Sequence, residues 1–199
     1  MFYDENISLK PYNTFRVDVK ARFFVQVDSV NELESVLNDE KYTTVPKMIL
    51  GWGSNILFRH DYQGLVIKVN FHGREILAED DESVTLRLGA GENWHEFVMW
   101  SAESGWSGVE NLAYIPGTVG AAPVQNLAAY GQTFEDVLVS LNAIELATGE
   151  TRSFTKEETE PAYRTSVFKT ELKNKYLVSD VTVKLSKIAN YDTHYHGRY

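Results

Sequence analysis

No cysteine occurs in the 199 residues. Disulfide staples, thiolate metal sites and a cysteine nucleophile are therefore excluded, and a reducing compartment fits. Positive charge is scarce as well: 19 Lys and Arg stand against 28 Asp and Glu, a formal net charge of −9. A general nucleic-acid binder would carry a basic face, so no nucleic-acid partner is expected. An anionic small ligand is still allowed, because a few oriented backbone amides can hold phosphate whatever the net charge. No apolar run approaches a membrane span, and the opening MFYDENISLK lacks the apolar stretch of a secretion signal. No membrane association is expected, and a cytoplasmic location is. His60, His72, His95, His194 and His196 form no HExxH or similar spacing, so no metal site is expected. Ser54, Ser101 and Ser166 lie in no G-x-S-x-G elbow, which leaves a hydrolase triad without support.

The residues that are present suffice for a core. The chain is 43% hydrophobic and 24% charged, ordinary globular usage, and its length suits one large or two small domains. Residues 22–27 (RFFVQV) read as a strand. Ser29 and Glu32 then match a capping box, and Val30, Leu33, Val36 and Leu37 form a helical stripe. Residues 48–50 and 65–69 read as further strands, giving a strand–helix–strand–strand unit. Beyond Gly73 the texture changes. Residues 83–88 (SVTLRL) alternate with Val84, Leu86 and Leu88 inward, and residues 92–104 read as a helix with Trp94, Phe97, Val98 and Ala102 on one side. Strands over 138–146 and 151–154 flank a turn with Gly149 where positive φ is needed, and 176–185 alternates with Val181, Val183 and Leu185 inward. The expected organisation is two α+β units sharing one ligand, residues 1–70 and 71–187, with 188–199 opening a further loop.

Three loops carry the chemistry. Gly51-Trp52-Gly53-Ser54-Asn55 interrupts two apolar runs. It is no Rossmann fingerprint, because Ile56 stands at the third glycine position, and no P-loop, because no Gly-Lys-Ser/Thr follows. Its glycines suit either an anion nest of successive amides or a tight turn in which Ser54 and Asn55 satisfy their own backbone. The second loop, within 108–131, runs for 19 residues from Asn111 to Ala129 without Asp, Glu, Lys or Arg. Surface loops are normally charged. The stretch is therefore either backbone pressed against a large flat partner or a buried Ala-rich helix. The third is Tyr163-Arg164-Thr165-Ser166-Val167-Phe168-Lys169, in which Val167 and Phe168 read as packing and Lys169 as exposed. Arg164 alone reads as a surface arginine.

Seven motifs recur in order along essentially the whole chain. They are Asn13-Thr14-Phe15, Gly51-x-Gly53-Ser54-Asn55-x-Leu57-Phe58, Gly89-Ala90-Gly91-Glu92-Asn93-Trp94, Asn111-Leu112-Ala113-x-Ile115-Pro116-Gly117-x-Val119-Gly120, Pro123-x-Gln125-Asn126, Ala129-Tyr130-Gly131 and Tyr163-Arg164-x-Ser166-x-Phe168-Lys169. Together they resemble the UDP-N-acetylenolpyruvoylglucosamine reductases, the MurB flavoenzymes of peptidoglycan precursor synthesis. The resemblance implies an α+β, two-subdomain FAD-binding fold of the MurB and vanillyl-alcohol-oxidase (PCMH) type. It implies FAD as cofactor, NADPH as reductant and UDP-N-acetylglucosamine enolpyruvate as substrate, with UDP-N-acetylmuramate as product. No protein partner is suggested.

Carried over residue by residue, the resemblance implies that Gly51, Trp52, Gly53, Ser54 and Asn55 cradle the FAD pyrophosphate. Ile115, Pro116, Gly117, Thr118, Val119, Gly120 and Ala121 would line the flavin, with Gln125 and Asn126 also at the cofactor. Arg164 would be catalytic, stabilising an enolate-like intermediate through its carboxylate, and Tyr130 and Tyr195 would bind substrate. Two positions depart from the pattern: Ala122 stands where the family commonly has serine, and Ala128 where it has glycine. The family continues into a substrate domain that supplies a proton-donating serine and a glutamate, and neither is matched here. The expectation is a flavin-binding portion that retains FAD weakly or partly and does not reduce the sugar alone. Other readings are a different FAD-dependent oxidoreductase of the same fold, a non-catalytic flavin-binding module, or an α+β domain without ligand.

Overall fold

The computed structural model describes residues 2–189. Tyr195, expected at the substrate, lies outside the described residues, as do His194 and His196. The chain opens with strand β1 (Phe2–Ser8), then β2 (Lys20–Val27), helices α1 (Val30–Leu37) and α2 (Glu40–Thr43), and strands β3 (Lys47–Leu50) and β4 (Tyr62–Val69). β1, β2, β4 and β3 pair in that order into a four-stranded sheet. β1 runs antiparallel to β2, whereas β2–β4 and β4–β3 are parallel. Both faces of this sheet are covered, which is why β2 and β4 read as near-continuous apolar runs. Phe23, Val25, Leu65 and Ile67 join α1's Leu33 and Val36 in the larger core, while Phe24 and Val66 on the opposite face pack with Leu9, Leu50 and Phe58.

The capping at α1 is displaced by one residue from the expected box. Ser29 Oγ accepts from the Glu32 amide at 3.3 Å, but the Glu32 carboxylate reaches back to the amide of Asp28, at 2.8 Å, not to that of Ser29.

The second sheet follows: β5 (Arg74–Glu79), β6 (Ser83–Gly89), α3 (Trp94–Glu103), a short hairpin β7 (Ala128–Ala129) and β8 (Gln132–Thr133), then β9 (Leu138–Glu145), β10 (Thr151–Thr155) and β11 (Tyr176–Ser186). Five of these form an antiparallel sheet in the order β10-β9-β11-β6-β5. Val84, Leu86, Leu88, Val181, Val183 and Leu185 are buried on its inner face, as their alternation predicts. Gly149 turns β9 into β10 with φ +78°.

Two expectations needed correction. The buried face of α3 is Trp94, Phe97, Val98 and Ser101, and Ala102 is exposed. The 3.6-residue period brings Ser101 under Phe97, whose carbonyl takes the Ser101 hydroxyl at 2.9 Å. Ala128, which a buried Ala-rich helix over this stretch would make a helix position, lies in β7 opposite Thr133.

Trp94 joins the layers. It is 1% exposed, meets Phe97 and Phe134 edge-on, and donates its indole N–H to the Leu112 carbonyl at 2.9 Å. Burying an aromatic of this kind contributes about 1.5–3 kcal/mol. The indole also needs its partner, because an unmet buried donor costs about 1–3 kcal/mol.

Candidate functional site

The first loop leaves β3 at the carboxyl end of the parallel strands, where open α/β sheets commonly place ligands. Its posture is fixed from outside. Gly53 has φ +67°, and a β-carbon there would overlap the Tyr12 carbonyl and approach Asn13 Cα. The Gly53 carbonyl accepts from the Thr14 amide at 3.1 Å. Asn13, 3% exposed, holds the underlying turn by donating to the carbonyls of Leu9 and Val17 and accepting from the Val17 amide, all at 2.7–3.0 Å. Ser54 Oγ donates to the Pro116 carbonyl at 2.9 Å, and Asn55 Nδ2 to Gln125 Oε1 at 2.7 Å. Ser54 and Asn55 therefore reach the second loop; they do not close a local turn. Among the described residues, nothing accepts from the amides of Trp52, Gly53, Ser54 and Asn55.

The second loop is strapped onto the start of α3. Trp94 N donates to the Gly117 carbonyl at 3.1 Å, Val119 N to the Glu92 carbonyl at 2.9 Å and Gly120 N to the Ala90 carbonyl at 2.9 Å. Gly120 lies against Ala90, whose Cβ would be 2.5 Å from a methyl placed there. The loop forms short 3-10 turns, Val119–Ala121 and Pro123–Gln125, in place of a regular helix. The Glu92 carboxylate gathers the Gly73 amide (3.0 Å), Arg74 Nε (2.7 Å) and His72 Nδ1 (3.3 Å). Burial pushes its pKa up, but these three partners outweigh burial and hold the carboxyl below the ordinary glutamate range.

Between the loops lies a cavity of about 540 Å³. Gly51, Trp52, Gly53, Ser54, Asn55, Pro116, Gly117, Thr118, Gly120, Ala121 and Gln125 all line it. Ile115, Val119 and Asn126 do not. Val119 is in the core, Ile115 packs against it, and Asn126 spends its amide on the Ala162 carbonyl (3.2 Å) and the Glu135 amide (3.1 Å). Sequence reasoning missed Lys47, Met48, Ile49, Tyr62, Asn174, Tyr176 and Val178 on the wall. The charged residues lining the cavity are Lys47 and Lys169, both cationic. Lys47 Nζ donates to the Tyr42 carbonyl at 2.8 Å, and burial lowers its pKa.

Tyr130 and Arg164 sit apart from this cavity. They line a shallower pocket of about 400 Å³ with Tyr163, Gly131 and Ala128. Tyr130 and Arg164 both have left-handed backbones, φ 49° and 56°, a conformation that costs an L-residue about 1–2 kcal/mol. Arg164 Nη2 lies 3.4 Å from Gln125 Oε1, so Gln125 stands between the two pockets.

A family model described as an FAD binding domain matches residues 21–155. The UDP-N-acetylenolpyruvoylglucosamine reductase of Flavobacterium johnsoniae is 45% identical over 187 residues, covering 94% of this chain and 55% of the relative. That of Amoebophilus asiaticus is 44% identical over 195 residues, covering 98% and 58%. The chain thus spans little more than half the length of the curated relatives it matches. The solved MurB from Thermus caldophilus superposes with a TM-score of 0.74 at 26% identity, covering 92% of this chain and 63% of that one. A solvent-stable cholesterol oxidase superposes at 0.60 and 14% identity, over 85% and 36%, a likeness of fold alone. The architecture is the α+β FAD-binding fold of the MurB and PCMH type. With the family model spanning more than half its length, the chain belongs to the FAD binding domain family.

Proposed function

We propose that this chain holds FAD for the NADPH-driven reduction of UDP-N-acetylglucosamine enolpyruvate to UDP-N-acetylmuramate, a cytoplasmic step of peptidoglycan precursor synthesis that serves cell shape and division. The observation that carries the reading is the cavity wall. Four successive residues whose amides have no internal acceptor, and two lysines, line one cavity that, among the described residues, no carboxylate lines. That donor set fits a diphosphate and rejects a cation. Pro116, Gly117, Thr118, Gly120 and Ala121 on the wall, uncharged and small, fit a flat ring system.

When bound, FAD supplies the hydride relay between NADPH and the enolpyruvyl group. The chain's residues supply binding and charge. The amides of residues 52–55 hold the diphosphate, with residues 1–70 and 71–187 as two subdomains sharing the cofactor. Arg164 takes the substrate carboxylate in a two-point grip and offsets the negative charge built up beside it. Its permanent charge makes it a poor proton donor, so protonation falls to another group. Tyr130 flanks the same pocket.

The test has two parts. FAD added to the protein should give a bound flavin spectrum. Photoreduced protein mixed anaerobically with the UDP-enolpyruvyl sugar should then reoxidise no faster than the sugar-free control, since the family's proton donor is unmatched in this chain. Absence of a bound flavin spectrum would overturn the FAD reading, and sugar-dependent reoxidation at a rate typical of enzyme turnover, about 1–10³ per second, would show that this chain carries out the reduction by itself.

A further inference from the structure

We propose that Lys169 and Gln125 are positioning residues for Arg164, one latching its backbone and the other its guanidinium, and that Gln125 ties this posture to the glycine loop through Asn55. The functional weight of the inference rests on Arg164 as the carboxylate-binding arginine.

Arg164 occupies a tight turn closed by Ala162 and Thr165, whose amides and carbonyls pair both ways at 3.2 Å. Its φ of +56° belongs to a turn position that glycine or asparagine normally fills. Something must therefore hold an arginine there. Lys169 Nζ donates to the Arg164 carbonyl at 2.9 Å. The base of that lysine is fixed, because Ser166 Oγ donates to the Val124 carbonyl at 2.7 Å and starts the 3-10 turn Val167–Lys169. Lys169 thus stands on an anchored turn and clasps the residue five positions back.

The guanidinium is held separately. Gln125 Oε1 faces Arg164 Nη2 at 3.4 Å and Asn55 Nδ2 at 2.7 Å. Two donors use both lone pairs of that oxygen, which fixes the amide between the loop and the arginine. Gln125 is neutral, and among the described residues no carboxylate pairs with Arg164. A neutral acceptor aims the guanidinium without cancelling its charge, and its long contact exchanges readily for an incoming carboxylate.

NMR of the isotope-labelled chain, with phenylglyoxal modification of Arg164 alongside, tests the assignment. In Lys169→Met the Arg164 amide order parameter should fall toward the flexible range, below about 0.6, and Lys169→Arg should restore it. Gln125→Leu should leave that amide ordered, loosen the Arg164 side-chain Nε–H, and speed modification severalfold. Asn55→Ala should do the same more weakly. Retained amide dispersion at Ser166 and Asn126 shows that the turn is still folded. Wild-type order and modification rates in both Lys169→Met and Gln125→Leu would overturn the proposal. None of these readouts involves substrate. The latch can therefore stand even where added FAD gives no bound flavin spectrum, an outcome that would instead sink the proposed function.

Discussion

Around the large cavity the backbone does the holding: the Gly53 carbonyl takes the Thr14 amide, Gly120 beds on Ala90, and Ser54 bonds the Pro116 carbonyl. Around the shallow pocket beside it, the exposed side chains of Tyr130 and Arg164 stand on left-handed backbone, and Tyr163, which lines the same pocket, is 90% exposed. The first arrangement suits a resident ligand, since amides fixed by close packing are already oriented before anything binds. The second suits a transient one, because an exposed side chain can change partners at little cost. The shared element is Gln125, which lines the cavity and touches Arg164.

If backbone packing is what makes the cavity, the largest effect should come from Gly53→Val. A side chain there meets the Tyr12 carbonyl in a backbone conformation it disfavours, so we expect a loss of about 3 kcal/mol or more together with the flavin. Denaturant unfolding and flavin content per chain measure both. Valine with full flavin and wild-type stability would break the comparison. Next comes Asn13→Ala, which strips three hydrogen bonds from a buried turn and should cost about 2–3 kcal/mol without touching the cavity wall directly. Flavin affinity should fall with it, since the turn supports Gly53. An unchanged melting temperature would show that the Leu9–Val17 turn is not load-sharing.

Glu92→Gln sharpens the comparison through pH. The folded-state pKa of Glu92 is held below the ordinary value near 4.5. Its contribution is therefore fully present above that value and is lost as pH falls through the lower, folded one. Stability profiles from neutral to acid should be shallower for Glu92→Gln than for the parent, and superimposable acid limbs would remove Glu92 from the account. The smallest effect is expected at the shallow pocket: Ala128→Gly should cost about 0.5–1 kcal/mol, from the added freedom of a glycine in β7. A destabilisation larger than that of Asn13→Ala would mean the shallow pocket is as tightly built as the cavity.

The buried strands were legible because burial on one or both faces forces an alternating or continuous apolar pattern, as in β2, β6 and β11. β1 and β5 were not. All six residues of β5 are exposed, and an edge strand with Arg74, Glu75 and Glu79 carries no apolar signature. In the site, two signals could be read directly: the glycines of 51–55 and the absence of charge over 111–129. The role of Asn13 was not, because a buried amide serving Leu9 and Val17 looks like any loop asparagine. Lys47, Tyr62, Asn174 and Tyr176 reach the cavity only through strand pairing and distant turns, which no local pattern encodes. Asn126 is the converse: the family resemblance put it at the cofactor, and its side chain is engaged with the Ala162 carbonyl of the Arg164 turn.

The central claim is that the amides of residues 52–55 take a diphosphate. Calorimetric titration of the flavin-free protein with FAD and, in parallel, with FMN tests it most directly, because the two share the flavin ring and only FAD carries the diphosphate and adenosine. The account predicts saturable FAD binding at least about tenfold tighter than FMN, a difference of about 1.4 kcal/mol, and loss of that difference in Gly53→Val. Equal affinity for the two flavins, or an FAD preference that survives Gly53→Val in a folded protein, would contradict it.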